Sequence, residues 1–287
     1  MTPRPDLPAS VNRLSGMIRA RFWKLRGSVP DSAGAGAARW FAIEQGVANA
    51  RNGRYGFDDP GLDERVVEFP WIFDRMAALD HPGGRGGVLD AGSIMNHRPI
   101  LRWWNNAGRS PLSIVTLAHE GAAHVSNTVR YEFADLRHLP YRDEWFSAVL
   151  CISTLEHVGL DNTAYGAAVA AGGADPGTAS VQALRELRRV SAHGASLLLS
   201  VPFGARSNRG WFRIFDADDL RQVIDGSGWT HARSRFFRAT KDGWRECGQD
   251  DVGDAGYNER ARRGGLRTAP PFVAAAEAIA LVEMTRG

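Results

Sequence analysis

From residue 86 onward, short apolar runs recur at a steady interval, with helix-like stretches between them. The runs are "GVLDAG", "LSIVTLAH" from 112, "VRYEFAD" from 129, "SAVLCIST" from 147, "ASLLLSVPFG" from 195, "HARSRFFRAT" from 231 and "AAEAIALVEMT" from 275. Each has the length and composition of a buried or half-buried strand. Between the first two, "NHRPILRWWNNAG" reads as a helix with Asn96 as N-cap, Pro99 in the first turn and Gly108 just past the end. Before the fifth run, "SVQALRELRRV" sets Leu184, Leu187 and Val190 on one stripe, which predicts a core-facing helix. A further helix follows "GWFRIF", capped by Asp216. Strands alternating with helices predict an α/β fold with a mostly parallel sheet covered on both faces.

The first 85 residues read differently, as a helical extension and linker ahead of a domain spanning 86–287. "VNRLSGMIRARFWKLRG", residues 11–27, places Val11, Leu14, Ile18, Phe22 and Leu25 on one helical face, with Arg13, Arg19, Lys24 and Arg26 largely elsewhere. Such a basic amphipathic helix suits either docking on the main domain or peripheral contact with an anionic membrane. The "SVPDSAGAGAA" that follows has the composition of a flexible linker.

In open parallel sheets, ligands bind beyond the carboxyl ends of the strands, so those ends are where chemistry is expected. The first strand ends at Asp90-Ala91-Gly92, and the glycine permits a tight turn into the next helix. The second ends at His119-Glu120, where an acid can accept from ribose hydroxyls; Glu120 lies 30 residues beyond Asp90. Asp135 and Leu136 close the third, pairing a carboxylate acceptor with an apolar contact. The fourth delivers Ser153, Thr154, Glu156 and His157 to the same rim.

Together "VLDAG", "FADLRHLPYRDEWFSAVLCISTLEHVG" and "ELRRVSAHGASLLLSVPFG" resemble class I S-adenosylmethionine-dependent methyltransferases, nearest to methyltransferase-domain proteins of bacterial polysaccharide and glycan biosynthesis. The resemblance covers roughly residues 86–240. It implies a Rossmann-like, seven-stranded, mostly parallel sheet whose last strand is antiparallel, and S-adenosyl-L-methionine as cofactor. Matched position by position, Asp90, Gly92 and Ser93 fall in the cofactor loop, Glu120 on the ribose acid, and Asp135 with Leu136 on the adenine site. Ser153, Glu156 and His157 fall in the segment that closes over the methionine end and opens toward the acceptor. Two departures stand out: Ile94 occupies the place of a second glycine, and "SAHGA" replaces the commoner "KPGG". A branched side chain at Ile94 keeps the backbone away from the methionine end of the cofactor, and side-chain hydrogen bonds from Ser93 and Asn96 can stand in for that approach.

An alcohol acceptor must lose a proton, and His157 is the candidate base, with Glu156 orienting it or touching the cofactor. Residues 159–180 make a long glycine-rich link in which Asp161, Asn162 and Tyr165 offer polar groups to a small-molecule or glycan acceptor. Trp211 and Arg213 offer stacking and phosphate contact. Arg260, Arg262, Arg263 and Arg267 crowd one later loop, suited to a diphosphate or to plain solvation.

Composition narrows these readings. The net charge of +3 is too small to imply nucleic acid, and only Lys24 and Lys241 are lysines. Two cysteines, Cys151 and Cys247, make neither a disulfide framework nor a metal site; Cys151 reads as an inert buried thiol, and no metal is expected. The opening "MTPRPDLPAS" lacks a signal-peptide core, which predicts a cytoplasmic protein. The leading expectation is a glycan-directed O-methyltransferase. The rival is a noncatalytic methyltransferase-like scaffold, favoured by Ile94. A nicotinamide-dependent oxidoreductase fits less well, because the first turn also lacks its third glycine.

Overall fold

A computed structural model describes residues 32–50, 62–79, 86–106, 111–117, 126, 128–163, 175–258 and 276–287. The chain divides into two compact units. The first comprises 1–78, 238–246 and 257–277, and the second 79–237, 247–256 and 278–287. The first unit therefore recruits two later segments as well as the N-terminal stretch.

Within the first unit, α1 (Ser32–Ala50) packs on α2 (Arg65–Ala78). The linker expected here needs correction: Ser32 to Ala38 belong to α1, not to a flexible tether. Each glycine costs a helix about 1 kcal/mol relative to alanine, but the alanines between them carry the best helix propensity. Trp40 meets Phe69 at 6.1 Å, Arg39 pairs with Asp63 at 2.8 Å, and Trp244 Nε1 donates to the Leu62 carbonyl at 2.9 Å. The basic helix expected over 11–27 lies outside the described residues.

The second unit is built on β1 (Val88–Ala91), β2 (Leu112–Thr116), β3 (Val129–Phe133), β4 (Phe146–Ile152), β5 (Ser191–Pro202), β8 (Thr230–Thr240, up to Phe237) and β10 (Ala278–Thr285). A small hairpin of β6 (Ser207–Asn208) and β7 (Arg213–Ile214) sits apart, and β9 (Gly243–Cys247) follows β8. Within the second unit the strands run in the order β3-β2-β1-β4-β5-β10-β8. The pairs β1–β2, β1–β4, β2–β3 and β4–β5 are parallel, while β10 runs antiparallel to β5. This is the Rossmann-like, mostly parallel sheet expected from the sequence, with its last strand antiparallel. The chain leaves β1 in one direction and returns to β4 on its other side, so the switch point lies between the carboxyl ends of β1 and β4.

Helix α4 (Pro176–Val190) covers one face and buries Leu184, Leu187 and Val190 completely, as their stripe predicts. Its start is fixed by Asp175, whose carboxylate accepts from the Thr178 amide, with Pro176 at the first helical position. Glu186 and Arg189 on α4 grip the loop before β4. Glu186 accepts from the Leu139 amide at 2.8 Å, and Arg189 donates to the Tyr141 carbonyl at 2.9 Å. Helix α5 (Ala217–Ser227) is capped by Asp216 as expected, through the Asp219 amide at 2.8 Å.

Helix α3 (Arg98–Asn106) begins two residues after the expected cap. The Leu101 amide donates to the His97 carbonyl, so His97 and not Asn96 stands at its start. Asn96 is buried instead, and Gly108 lies outside the described residues. Strand β2 ends at Thr116, short of the predicted His119. No helix among the described residues is long and apolar enough to cross a membrane.

Candidate active site

The switch point is organised by a tight loop after β1. Asp90 is fully enclosed, and its Oδ2 accepts from the Met95 amide at 2.7 Å, closing a five-residue turn. Asp90 therefore shapes the loop from within. Gly92 has φ +129° and donates its amide to the Val115 carbonyl at 2.8 Å. A Cβ added there would meet Thr154 Oγ1 at 1.9 Å. The glycine is needed because the β1 loop is pressed against the turn leaving β4. That contact brings Asp90, Gly92 and Ser93 together with Ser153–His157.

Ser93 takes the next left-handed position, with φ +66°, and is nearly buried. Ile94 is absent from the left-handed residues and has 5% of its surface exposed. Its backbone thus makes no demand that only glycine can meet, and its branched side chain is packed inside the protein. Asn96, expected to offer a replacement contact, is buried as well.

Ser153 is held at φ +43° by two hydrogen bonds to one residue: its amide donates to the Ser200 carbonyl at 3.1 Å and to Ser200 Oγ at 3.0 Å. Sequence reasoning does not find Ser200, although one hydroxyl inside "LLLSVPF" is the signal that marks it. Thr154 Oγ1 donates to the Ile152 carbonyl at 2.9 Å, and a single 3-10 turn, Leu155–His157, follows. Glu156 is buried, with its Oε1 4.0 Å from His157 Nε2. The His157 ring stacks on Trp211 at 5.4 Å between centroids, and its Nδ1 lies 2.8 Å from the Trp211 carbonyl oxygen. A carbonyl only accepts, so Nδ1 carries a proton and donates. In the neutral ring this leaves Nε2 as the acceptor atom.

The β6–β7 hairpin thus meets the turn after β4. The Gly210 carbonyl also accepts from the Asp161 amide at 3.0 Å. Asp161 is exposed, and its Oδ1 accepts from the Thr163 hydroxyl and amide, which hold the carboxyl below its ordinary range. Asn162 is 8% exposed and donates both amide hydrogens to carbonyls of its own turn. Arg213 is likewise turned into the protein. Its Nη2 donates to Ser180 Oγ at 2.9 Å, its guanidinium lies 4.0 Å from the Phe215 ring, and burial pulls its pKa down against Asp219 and Asp175. Trp211, half-buried, lies on the rim beside His157, and the exposed Asp161 lies on the loop bonded to Gly210.

At the end of β3, Leu136 is buried in the same apolar cluster as Ala91 and Leu155. Asp135 is engaged by Arg137, whose Nη2 donates to Oδ2 at 2.6 Å and whose Nε and backbone amide donate to Oδ1 at 3.0 and 2.9 Å. Burial raises the Asp135 carboxyl, but the Arg137 hydrogen bonds and charge outweigh it and hold the group below its ordinary value. Its ionised form therefore contributes stability above the unfolded carboxyl pKa, lost as pH falls through the lowered folded value. Arg137→Ala removes the side-chain hydrogen bonds and their charge, while burial and the backbone amide of residue 137, which donates to Oδ1, remain. The carboxyl is then expected to titrate higher than in the wild-type chain in a carbon-13 NMR titration; an unchanged value would show that the Arg137 side chain does not control it.

Glu120, Tyr165 and the arginines at 260, 262, 263 and 267 lie outside the described residues. Burial pushes the Cys151 thiol up, consistent with an inert side chain. Among the described residues, no group of acidic, histidine or cysteine side chains is arranged to hold a metal ion.

No known sequence family and no curated protein matches the chain. Among solved structures, the 4+2 cyclase SpnF is 16% identical, covering 86% of this chain and 93% of its own, at a TM-score of 0.48. An S-adenosylmethionine-dependent methyltransferase from Mesorhizobium loti is 14% identical over 76% of this chain and 97% of its own, at 0.45. The 1,6-didemethyltoxoflavin-N1-methyltransferase of Burkholderia thailandensis, with S-adenosylhomocysteine bound, is 13% identical over 99% of this chain and 93% of its own, at 0.44.

Proposed function

We propose that this chain is an S-adenosylmethionine-dependent methyltransferase acting on an oxygen of a sugar or glycan-related acceptor. The observation that carries the reading is the junction of Gly92 with Thr154. It joins the β1 loop to the turn that presents His157, at the point where open parallel sheets bind ligands. The residues at these strand ends fit an adenosyl group: Asp135 is a partly exposed carboxylate kept ionised, Leu136 beside it backs onto the apolar core, and Gly92-Ser93 makes a close main-chain turn. A carboxylate offers about four lone-pair positions, so Asp135 retains capacity for an amino donor beside Arg137.

When bound, S-adenosylmethionine supplies an already activated methyl group on a sulfonium. The protein's work is then alignment and proton handling. His157 Nε2, the acceptor atom of the neutral ring, takes the proton from the acceptor hydroxyl as the oxygen attacks. The resulting imidazolium keeps its Nδ1 proton on the Trp211 carbonyl and faces the Glu156 carboxylate 4.0 Å away. Trp211 offers its ring face to a sugar beside that atom. The sugar acceptor and the ribose role of Glu120 rest on the family resemblance, acceptor contacts from Tyr165 on its place in the glycine-rich link, and a membrane contact through 11–27 on the basic amphipathic pattern.

A second reading, a noncatalytic domain that binds partner proteins, is favoured by the two-pronged hold of Arg137 on Asp135. Calorimetry with S-adenosylmethionine and S-adenosylhomocysteine separates the two. We expect binding of both, weakened more than tenfold by Asp135→Ala, a loss above about 1.4 kcal/mol. No binding of either at millimolar concentration would leave the scaffold reading standing.

A further inference from the structure

We infer that Asn162 is a positioning residue which, with the main-chain carbonyl of Trp211, fixes the ring of His157 as the tautomer protonated on Nδ1. His157 sits in a one-turn helix that cannot hold a side chain by itself, since three residues supply little cooperative backbone bonding. Two external restraints do the work. On the ring, Nδ1 donates to the Trp211 carbonyl at 2.8 Å, and the indole stacks against the imidazole at 27° between planes. On the backbone, the buried Asn162 amide donates to the His157 carbonyl and to the Leu160 carbonyl, each at 3.0 Å. These two carbonyls bracket the turn that leaves His157, so the amide anchors the backbone from which the imidazole extends. Both amide hydrogens are used, which fixes the side-chain orientation and rules out the flipped amide.

The consequence is chemical. Free histidine in water favours the proton on Nε2, so the site holds the less favoured tautomer and makes Nε2 the basic nitrogen of the ring. This gives the base of the proposed reaction its competent form before any acceptor arrives. The amide hydrogens of Asn162 already serve the turn, so they are not donors to an acceptor molecule. The catalytic use of Nε2 rests on the methyltransferase reading; the tautomer and its cause do not.

The test needs neither cofactor nor acceptor. Nitrogen-15 NMR of the full chain, with imidazole nitrogens labelled, reads the protonation of each ring nitrogen directly. For His157 at neutral pH we expect one tautomer, protonated at Nδ1 and unprotonated at Nε2. Asn162→Ala should replace that signature with the averaged signals of a ring exchanging between tautomers, while His138, His193 and His231 keep theirs as a check on folding. Asn162→Asp, which puts a carboxylate against two carbonyls, should lose it as well. Asn162→Ser, which keeps one hydroxyl donor, should restore part of it. A wild-type His157 protonated at Nε2, or an Asn162→Ala ring still locked at Nδ1 in a folded chain, overturns the inference. Either result leaves the calorimetric question of S-adenosylmethionine binding untouched, so the two failures are distinguishable.

Discussion

Gly92→Ala is expected to destabilise the second unit by about 3 kcal/mol or more, the largest stability loss that the site predicts. Two costs add. The new Cβ lands 1.9 Å from Thr154 Oγ1 and 2.7 Å from both Thr154 Cβ and Cγ2. Overpacking of this kind costs roughly 1–3 kcal/mol. At φ +129° an alanine is also strained, at roughly 1–3 kcal/mol. In a thermal melt the loss corresponds to a fall of roughly 6–12 °C in the midpoint. The two costs separate in a Thr154→Gly background, which removes the clashing side chain: there Gly92→Ala should cost only the backbone strain. A Gly92→Ala protein within about 0.5 kcal/mol of wild type would mean that the β1 loop and the β4 turn are not in contact, and the site would have no common floor.

That contact explains how far the sequence can be read. Asp90-x-Gly92 is visible as a turn signature, but the reason for its glycine is not. Thr154, the group that excludes a side chain there, lies 62 residues further along. Ile94 raises the opposite problem. A missing glycine suggests a lost backbone conformation, yet the left-handed position falls on Ser93, and Ile94 is an ordinary buried residue. A motif records residue types, whereas the requirement is on φ and on space.

The strands show the same division. β4 and β5 are buried along most of their length and read as continuous apolar runs. β2 reads too long because "LAH" continues its apolar pattern past Thr116, where pairing stops. The two-residue strands β6 and β7 are too short for any periodicity, so the hairpin they form is invisible in the sequence. It is nevertheless the element that meets His157, through the Trp211 ring, which the sequence marks, and through a backbone carbonyl, which carries no residue-type signal. The roles of Asn162 and Arg213 differ from the expected ones for a related reason. Polar residues in a glycine-rich or aromatic segment look available to a ligand, but buried donors must first satisfy the chain's own acceptors.

His157 carries the largest expected effect on rate. Removing a positioned general base costs on the order of 10²–10⁴ in turnover, or about 3–5 kcal/mol in the barrier. Alanine alone would not decide the matter, because it also removes the ring that stacks on Trp211 and donates to its carbonyl. His157→Asn separates the two jobs: the asparagine amide reaches about as far as Nδ1 and can still donate to Trp211, but nothing replaces Nε2. Methyl transfer to an acceptor that the wild-type chain turns over is expected to fall by the same 10²–10⁴ in both variants, with S-adenosylhomocysteine affinity nearly unchanged. If His157→Asn keeps turnover near wild type while His157→Ala loses it, the imidazole is an anchor for the hairpin and the proton leaves by another route. If both variants lose cofactor affinity in step with rate, His157 belongs to the adenosyl side of the pocket. Only a rate lost with affinity retained, in the variant that preserves the Trp211 hydrogen bond, assigns the proton to Nε2.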